Sequence, residues 1–370
     1  MRFKWEKYYW ITLKNNKQLQ GLFMICVLTV FIGVSGNVLH AETPTVKGII
    51  NSLLGPDDTT PPDIELEGLS DGLTVYTEKM YISGQVTDNN KVTALTLDKV
   101  PLISRPERNI FFSHLTALRE GKNIITIEAN DEAGNKTRKE IIVVRTNPHF
   151  SKLPKEVFEK RMRLAVYPFD YGGALSEESG MFLDMLTLAL QEQGRFQLTD
   201  RVLMDTILKE QKLSLTQLID QEIAVRTGRI MSAQAIVTGS IIKSGEGIEV
   251  AGRMIDTETA EILAIEKIYS SKEGLAALNF LAQSLAVRFH NDFPMLKGVV
   301  VQRKVREIFT DVSRNSPPLR GNLIIYRENN LKNVILGYAR ITQSLPEMTK
   351  AELTSGRLDE IRELDRVVVQ

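Results

Sequence analysis

Ser240 and Lys243 are the pair whose spacing most directly suggests nucleophilic chemistry in this 370-residue chain. They match the Ser-x-x-Lys spacing of serine enzymes in which both residues share one helical turn, so that the lysine reaches the hydroxyl. Here the surrounding run AQAIVTGSII has the composition of a β-strand. Residues three apart in a strand point to opposite faces, so the sequence predicts no nucleophilic site at this pair.

Gly245, Gly247 and Gly252 have the spacing of a glycine-rich nucleotide loop. Such a loop needs a helix directly after the glycines, because the helix N-terminus helps to bind the phosphates. A second β-patterned run, IEVAGRMID, follows here instead. We therefore predict a hairpin turn at KSGEG and no cofactor.

Asp170, Glu177 and Glu178 form an acidic group after an apolar strand, at a position where α/β domains often bind ligands. Ser176 is a favourable N-cap, and acids in the first turn of a helix are stabilised by the helix dipole. This helix-start explanation accounts for Glu177 and Glu178 without a catalytic role.

Asp88, Asn89, Asp131 and Asn135 carry the oxygen ligands that Ca²⁺ prefers. The spacing of an EF-hand loop is absent from the sequence. Asp and Asn are also favoured in turns, where their side chains bind nearby backbone amides. Turn chemistry is therefore the first explanation, and calcium binding is the alternative.

Histidine and cysteine are too sparse to suggest a metal site. The four histidines are scattered along the chain, and the single cysteine, Cys26, lies in an apolar run. No phosphate-binding Gly-x4-Gly-Lys-Ser/Thr motif occurs either. We expect a protein that is not an enzyme and has no metal or cofactor. The histidines are His40, His114, His149 and His290.

The charge balance argues against nucleic-acid binding. The chain has 46 Lys and Arg against 46 Asp and Glu, so its formal net charge is zero. Proteins that bind nucleic acids need a basic surface to neutralise phosphates. We expect no nucleic-acid partner, and no feature indicates a small-molecule substrate.

The N-terminus has the pattern of an export signal. A basic and aromatic stretch precedes the uncharged residues 21–36, and LHA ending at Ala41 is a plausible cleavage site. We predict a signal peptide over residues 1–41. An uncleaved anchor is the alternative, because residues 22–39 are long enough to span a bilayer. Both place the rest of the chain outside the cytoplasm.

The sequence after residue 41 predicts a multidomain α+β protein. A polar, proline-bearing linker over 42–62 leads to a segment, 63–146, of short alternating runs, which is typical of a β-sandwich. A second linker covers 147–160. Within the sandwich, the NDEAGN turn resembles a hairpin of bacterial immunoglobulin-like domains. The alternating runs are residues 79–88, 91–98, 109–115, 122–131 and 136–145.

The order of strand and helix patterns in residues 161–294 predicts an α/β sandwich. An apolar strand is followed by a helix capped by Ser176 and ended by Gly194, then by helices that start at Asp200 and Asp220. Three consecutive strands and a last helix complete it. Six β-patterned runs within 295–370 predict a small β-barrel.

The central segment resembles the curli-secretion protein family (CsgG) and the N-terminal domain of TolB. The resemblance lies in four blocks, RLAVYPFDY, LQEQGRFQLTDRVLMDTILKEQKL, AQAIVTGSI and GRMIDTETAEIL. It implies a periplasmic component of envelope assembly or secretion. Curli-secretion proteins are lipoproteins, but Cys26 follows bulky residues in mid-run and does not fit an acylation site, so association with the outer membrane stays open.

The C-terminal segment is similar to the C-terminal domain of the flagellar H-ring family (FlgT), through GNLIIYRE, LGYARITQ and LDRVVVQ. Curli-secretion proteins also insert two long β-hairpins into their α/β domain to build a membrane pore. Here the connection KSGEG is far too short, because a membrane strand needs about 9–11 residues. We therefore predict no pore.

The first interpretation is a non-enzymatic periplasmic scaffold or accessory protein of a secretion, curli-like or flagellum-associated assembly. The resemblance implies packing between neighbouring subunits, so envelope proteins and a homo-oligomeric ring are the expected partners. The alternative is a regulatory periplasmic binder that activates a cell-wall synthase. Leu213, Leu215 and Leu218 are candidate interface residues, with a role in the core as the alternative.

Overall fold

The computed structural model describes residues 58–103, 105–146, 153–172, 175–245, 247–313, 319–328 and 333–370. The signal peptide predicted over 1–41, with Cys26 and His40, lies outside these residues, and so does His149. The described part of the chain consists of three successive segments, each built on its own sheet.

The N-terminal segment forms a seven-stranded sheet, as its two-residue periodicity predicts. Its apolar positions, such as Ile82, Val86 and Leu95, are buried in one core. Strand content is confirmed, whereas an immunoglobulin-like arrangement stays a prediction. The strands are β1 (Asp63–Leu66), β2 (Leu73–Val75), β3 (Lys79–Leu97), β4 (Val100–Pro101), β5 (Glu107–Ala117), β6 (Gly121–Asp131) and β7 (Lys136–Arg145).

Strand β3 replaces two strands that the sequence predicted separately. Its register shifts between Thr87 and Val92, where Asp88, Asn89 and Asn90 interrupt the alternation. The first half pairs with β1 and β5, and the second half pairs with β4 and β6. The polar residues thus bend one continuous strand instead of ending it, as a β-bulge does.

The central segment is a six-stranded mixed sheet in the order β10-β8-β11-β12-β13, with β9 paired to β11. Strands β8, β10 and β11 are parallel, and β11 to β13 form the predicted antiparallel meander. The strands are β8 (Arg163–Val166), β9 (Asp170–Tyr171), β10 (Gln197–Leu198), β11 (Ala235–Ser244), β12 (Gly247–Asp256) and β13 (Ile262–Ser270).

The helices of this segment begin and end where the sequence predicted. The Ser176 hydroxyl accepts a hydrogen bond from the Ser179 amide, and Gly194 ends the same helix with a φ of 65°. Asp200 and Asp220 cap the next two helices through their carboxylates. The helices are α2 (Glu177–Gln193), α3 (Arg201–Glu210), α4 (Gln221–Ile230) and α5 (Gly274–Asp292), and a preceding short helix is α1 (Lys155–Phe158).

Helices pack on both faces of the central sheet. Buried side chains of α2 and α5, such as Phe182, Leu186 and Leu285, form one core with the strand residues that face them. Side chains of α3 and α4, such as Met204 and Val225, form a second core on the other face. The predicted α/β sandwich therefore has three layers.

The C-terminal segment closes into the predicted six-stranded barrel, in the order β14-β15-β18-β17-β16-β19. Helix α1 lies in the predicted linker 147–160, but buried Val157 packs against the barrel residues Ile324 and Val368. The similarity to the FlgT domain stays a prediction. The strands are β14 (Lys297–Lys304), β15 (Glu307–Thr310), β16 (Asn322–Arg327), β17 (Val334–Ser344), β18 (Thr349–Gly356) and β19 (Arg366–Val369).

Residues 58–370 form one compact unit. Even residues 58–62, which the sequence assigns to a linker, hydrogen-bond to the N-terminal sheet through Asn135 and Thr137. None of the helices in the described part of the chain has the length and the apolar character that crossing a bilayer requires.

Candidate interaction surface

One face of the central sheet is only half covered by helices. On the α3–α4 side, the helices bury Ile236 and Ile255 at one end of β11 and β12. Further along the same face, exposure alternates along β12, where Glu249 is exposed while Ile248 and Val250, which face α5, are buried. The strands β11 to β13 thus present one buried face and one open face.

We call this uncovered region the open face. Ile242 of the inner strand β11 is 56% exposed, and Ile265 of the edge strand β13 is 55% exposed. Ile242 lies beside Glu249, and Ile265 lies beside Arg253, so charged side chains of both signs lie between these two apolar residues. The open face consists of Ser240, Ile242, Glu249, Ala251, Arg253, Ile265, Lys267 and Tyr269.

The N-terminal sheet extends the open face into a groove of about 440 Å³. Phe111 and Phe112 of β5 line it opposite Ile242 and Tyr269. Phe111 is 42% exposed, so an aromatic ring adds to the apolar surface. Contiguous exposed apolar side chains of this kind often mark sites of protein contact.

Hydrogen bonds to Tyr269 fix the N-terminal sheet beside the open face. The amide of Tyr269 donates to the Tyr81 hydroxyl at 2.9 Å, and the Ser113 hydroxyl donates to the Tyr269 carbonyl at 2.6 Å. Both contacts use main-chain groups at the free edge of β13, which would otherwise lack partners there. These two hydrogen bonds therefore hold the N-terminal sheet and the central sheet, which form the two walls of the groove, in fixed positions.

A second apolar surface lies at the opposite end of the sheet, around β10. Helix α2 ends just before β10 and α3 begins just after it. Val202 and Leu203 of α3 are exposed there, Val202 to 69%, whereas exposed Leu188 belongs to α2, which packs on the other face of the sheet. We call Val202 and Leu203 the β10-end surface.

Ser240 and Lys243 have the spacing of a serine–lysine catalytic pair, and the structure places them on a strand, as the sequence predicts. Ser240 and Lys243 lie on one strand, and the Lys243 ammonium binds the Glu273 carboxylate at 2.7 Å. This hydrogen bond raises the pKa of Lys243, whereas a lysine that acts as a base needs a lowered pKa. The strand prediction is confirmed.

The glycines that mimic a nucleotide loop have structural roles. Strand β11 ends at Ser244 and β12 begins at Gly247, so the predicted hairpin is confirmed. A Cβ at Gly247 would lie 2.2 Å from the Ser270 carbonyl oxygen, and one at Gly252 would lie 2.8 Å from Leu285 Cδ2. These glycines allow close strand and helix packing.

Glu177 and Glu178 take the helix-start position that the sequence predicts, and Asp170 lies apart from them on its own strand. Glu177 and Glu178 lie in the first turn of α2 as predicted, and hydrogen bonds from its own backbone and from Ser176 lower the pKa of Glu178. Asp170 lies on β9, and its Oδ1 is buried without a hydrogen-bond partner among the described residues. A general acid would need a raised pKa, which Glu178 lacks.

The structure brings together the turn residues considered for calcium and adds Asp58 to them. Oxygen atoms of Asp58, Asp88 and Asp131 lie within 4.8 Å of one another. Asn89 donates to Asp58 at 3.0 Å, and Asn135 donates to Asp131 at 2.8 Å, so turn-type hydrogen bonds occupy part of the group.

One oxygen of this acidic group, Asp88 Oδ2, is buried and has no hydrogen-bond partner among the described residues. Three carboxylates at this spacing could ligate a hard cation such as Ca²⁺. The sequence missed Asp58 because it lies about thirty positions before Asp88, in the predicted linker, and only folding places it there.

The two described histidines are buried or half-buried and form no metal group. Burial lowers the pKa of His114. Burial, together with the nearby Arg195 charge, lowers the pKa of His290 to about 3, and its Nδ1 lies 3.0 Å from Gln193 Oε1. Both imidazoles are therefore neutral at physiological pH.

Two of the leucines suggested as interface residues belong to the core. Leu218 is 1% exposed, and Leu213 is half-buried against the same α3–α4 core. The side chain of Leu215 lies outside the described residues. The sequence analysis did not identify Ile242 and Ile265 as exposed residues, because the strands that contain them have the apolar pattern of ordinary buried strands.

Comparison with known proteins gives a family match within the central segment. Residues 167–252 match the family described as "Curli production assembly/transport component CsgG". Among curated protein sequences, no significant match to this chain is found.

Three solved structures have partial similarity to this chain. The C-terminal domain of LpoB from Salmonella enterica is 20% identical over 30% of this chain and 83% of its own, with a TM-score of 0.26. The PelC dodecamer from Paraburkholderia phytofirmans is 13% identical over 35% and 85%, with a TM-score of 0.23. TolB from Acinetobacter baumannii is 12% identical over 54% and 50%, with a TM-score of 0.25. The resemblance of the central segment to the CsgG family is confirmed over residues 167–252 by the family match.

Proposed function

We propose that this chain is a non-enzymatic periplasmic scaffold or accessory component of an envelope assembly, of the secretion, curli-like or flagellum-associated kind. It acts by protein–protein contact. The observation that carries the proposal is the open face, which lies within and beside the segment that matches the CsgG family. Ile242 of β11 lines the groove together with exposed Phe111, and Ile265 of β13 is exposed on the same face of the sheet, so this face carries apolar surface of the kind found at protein contacts.

We assign a second copy of the chain as the occupant of the open face. The open face lies toward β13 and the β10-end surface lies at the other end of the same sheet. Contact between two different surfaces of identical chains is heterologous, and it generates a ring when the rotation closes. Apolar Val202 and Leu203 of one copy would pack against Ile242 and Ile265 of the next.

The short connections of the central sheet argue against a role in the wall of a membrane channel. Only residues 245 and 246 separate β11 from β12, and only residues 271–273 separate β13 from α5. A membrane-spanning strand alone needs about 9–11 residues. Neither connection can supply a membrane hairpin.

Light scattering on residues 42–370 over a range of concentrations tests the proposal. The expected result is an oligomer of defined mass. Ile265→Lys should shift the protein to monomer, because it places an unpaired charge beside Arg253 and Lys267 at the centre of the contact. Circular dichroism should show that the variant remains folded, since Ile265 is exposed.

Val305→Lys is the matched control, because Val305 is an 89% exposed apolar residue in the turn between β14 and β15 of the barrel and does not belong to the open face. It should leave the mass unchanged. A wild-type monomer at every concentration would overturn self-assembly. It would favour the alternative of a one-to-one periplasmic binder that activates a cell-wall synthase, to be sought by pull-down.

A further inference from the structure

Strand β5 has a free edge in the N-terminal sheet. It pairs with β3 and with no other strand in the described part of the chain. The Glu67 amide donates to the Ser83 carbonyl at 3.0 Å, so the main chain of Ser83 faces the β1 side of β3. Ser113, which lies opposite Ser83, therefore directs its own amide and carbonyl away from β3. Every second residue of β5 does the same, and these residues are Asn109, Phe111, Ser113, Leu115 and Ala117.

The main-chain groups along this edge have no hydrogen-bond partners in the described part of the chain. Asn109 and Ser113 form hydrogen bonds only through their side chains, with Gln85 and Tyr269. Phe111 lies at the centre of the row and is 42% exposed. A row of free main-chain donors and acceptors is a template on which another strand can pair.

The sequence of β5 contains nothing that blocks such pairing. Its stretch from Asn109 to Ala117 has no charged residue, no proline and no glycine. Soluble proteins usually protect an edge by charge, by proline or by making the strand very short. The other edge strands follow this rule, because β1, β2, β4, β9 and β10 have two to four residues and β13 carries Glu266 and Lys267. Among the described edge strands, β5 alone is both long and unprotected.

A strand added beside β5 would meet two different surroundings, because its side chains alternate between the two faces of the sheet. On one face lie Ile110 and Phe112, which belong to the apolar core of the N-terminal sheet. On the other face Phe111 borders the groove of about 440 Å³. Apolar side chains of an added strand therefore fit the first of these faces.

The charges in the groove define the side chains that fit the second face. Glu67 and Glu249 are exposed acids in its lining, and Lys267 is the one base among the described residues that line it. Because acids outnumber bases there, the groove attracts basic side chains. A strand with apolar residues on one face and basic residues on the other therefore complements this edge.

We propose that β5 receives an extended segment of a partner protein, which adds to the N-terminal sheet as a further strand. Main-chain hydrogen bonds to β5 hold the segment, and its alternating apolar and basic side chains give the selectivity. This strand site rests on the proposed function, since it is the contact by which such a scaffold holds another envelope protein.

The β5 strand of a second copy is a less suitable occupant of this edge. It carries no basic residue between Asn109 and Ala117, so it could not neutralise Glu67 and Glu249. The assigned contact between copies is centred on Ile265, which lies outside the lining of the groove. The open face can therefore hold the next copy while the edge of β5 holds the partner segment.

Fluorescence polarisation with a labelled peptide, KVTVKVTVK, tests the strand site on the protein over residues 42–370. The lysines and valines of this probe lie on opposite faces when it is extended. We expect saturable binding to the wild type. N-methylation of one alternate set of peptide amides should abolish binding and methylation of the other set should not, because only one edge of an added strand faces β5.

Phe111→Pro tests the main-chain contact from the side of the protein. It removes the outward amide at the centre of the edge, whereas the hydrogen bonds to β3 use the neighbouring residues. It should weaken peptide binding about tenfold, because the proline ring also obstructs the added strand. Phe111→Lys repels the basic probe and serves as the second variant if Phe111→Pro does not fold.

Val305→Lys is again the matched control, because it places a lysine on an exposed residue of the barrel, and it should bind the probe as the wild type does. The strand site is refuted if the wild type does not bind the probe, or if both methylated peptides bind as the parent does. A loss of oligomer mass in Phe111→Pro also refutes it, because a second copy then occupies the edge. Light scattering reports on the ring separately, so a wild-type monomer that binds the probe would overturn the ring and keep the strand site.

Discussion

The guanidinium of Arg195 donates a hydrogen bond of 2.7 Å to the main-chain oxygen of Gln370, and a second to the carbonyl of Phe293. Arg195 is fully buried and precedes β10, whereas Gln370 follows β19 of the barrel. One side chain thus joins the central sheet, the end of α5 and the barrel. Burial, followed by the nearby Arg161, lowers the pKa of Arg195, and it remains charged at neutral pH.

Replacing Arg195 should loosen the barrel from the central sheet. Arg195→Met retains most of the volume but leaves the Phe293 and Gln370 oxygens without their donor. A hydrogen bond to a charged group contributes about 1.5–3 kcal/mol, so we expect a loss of about 3 kcal/mol in the free energy of unfolding. Urea denaturation measures it. Arg226→Met on the exposed side of α4 is the control and should change stability by less than about 0.5 kcal/mol.

Two glycines of the central sheet should differ in their tolerance of alanine. A Cβ at Gly239 would lie 2.0 Å from the Ala251 carbonyl oxygen, which is fixed backbone. At Gly252 the nearest atoms are the side-chain ends of Leu285, which can move. We expect Gly239→Ala to cost about 3 kcal/mol and Gly252→Ala about 1 kcal/mol. Equal losses in denaturant titrations would contradict this order.

The acidic group of Asp58, Asp88 and Asp131 should respond to calcium. Three carboxylates within 4.8 Å repel one another, and a cation between them would relieve that repulsion. We expect millimolar Ca²⁺ to raise Tm by about 3 °C. Asp88→Asn should raise Tm without calcium and remove the response to it. Differential scanning calorimetry of the wild type and of Asp88→Asn, each with and without calcium, measures both changes. A Tm that is the same in all four conditions would contradict the prediction and would show that hydrogen bonds from the asparagines stabilise the acidic group without a cation.

Local sequence determined most of the secondary structure. Ser176, Gly194, Asp200 and Asp220 set helix ends because capping depends on a side chain and the backbone amides or carbonyls within one turn. Alternation of apolar residues determined the strands of all three sheets, because period-two burial is a property of each strand by itself. The short connection after Ser244 could also be predicted, because the number of residues between the two β-patterned runs limits its length.

Tertiary structure decided which residues meet. Asp58 joins Asp88 and Asp131 across long stretches of chain that no local pattern relates. The exposure of Ile265 could not be predicted either, because its strand has an ordinary apolar pattern and only the placement of α3 and α4 leaves that part of the face uncovered. Burial and proximity depend on packing between elements, and the sequence of a single element does not contain that information.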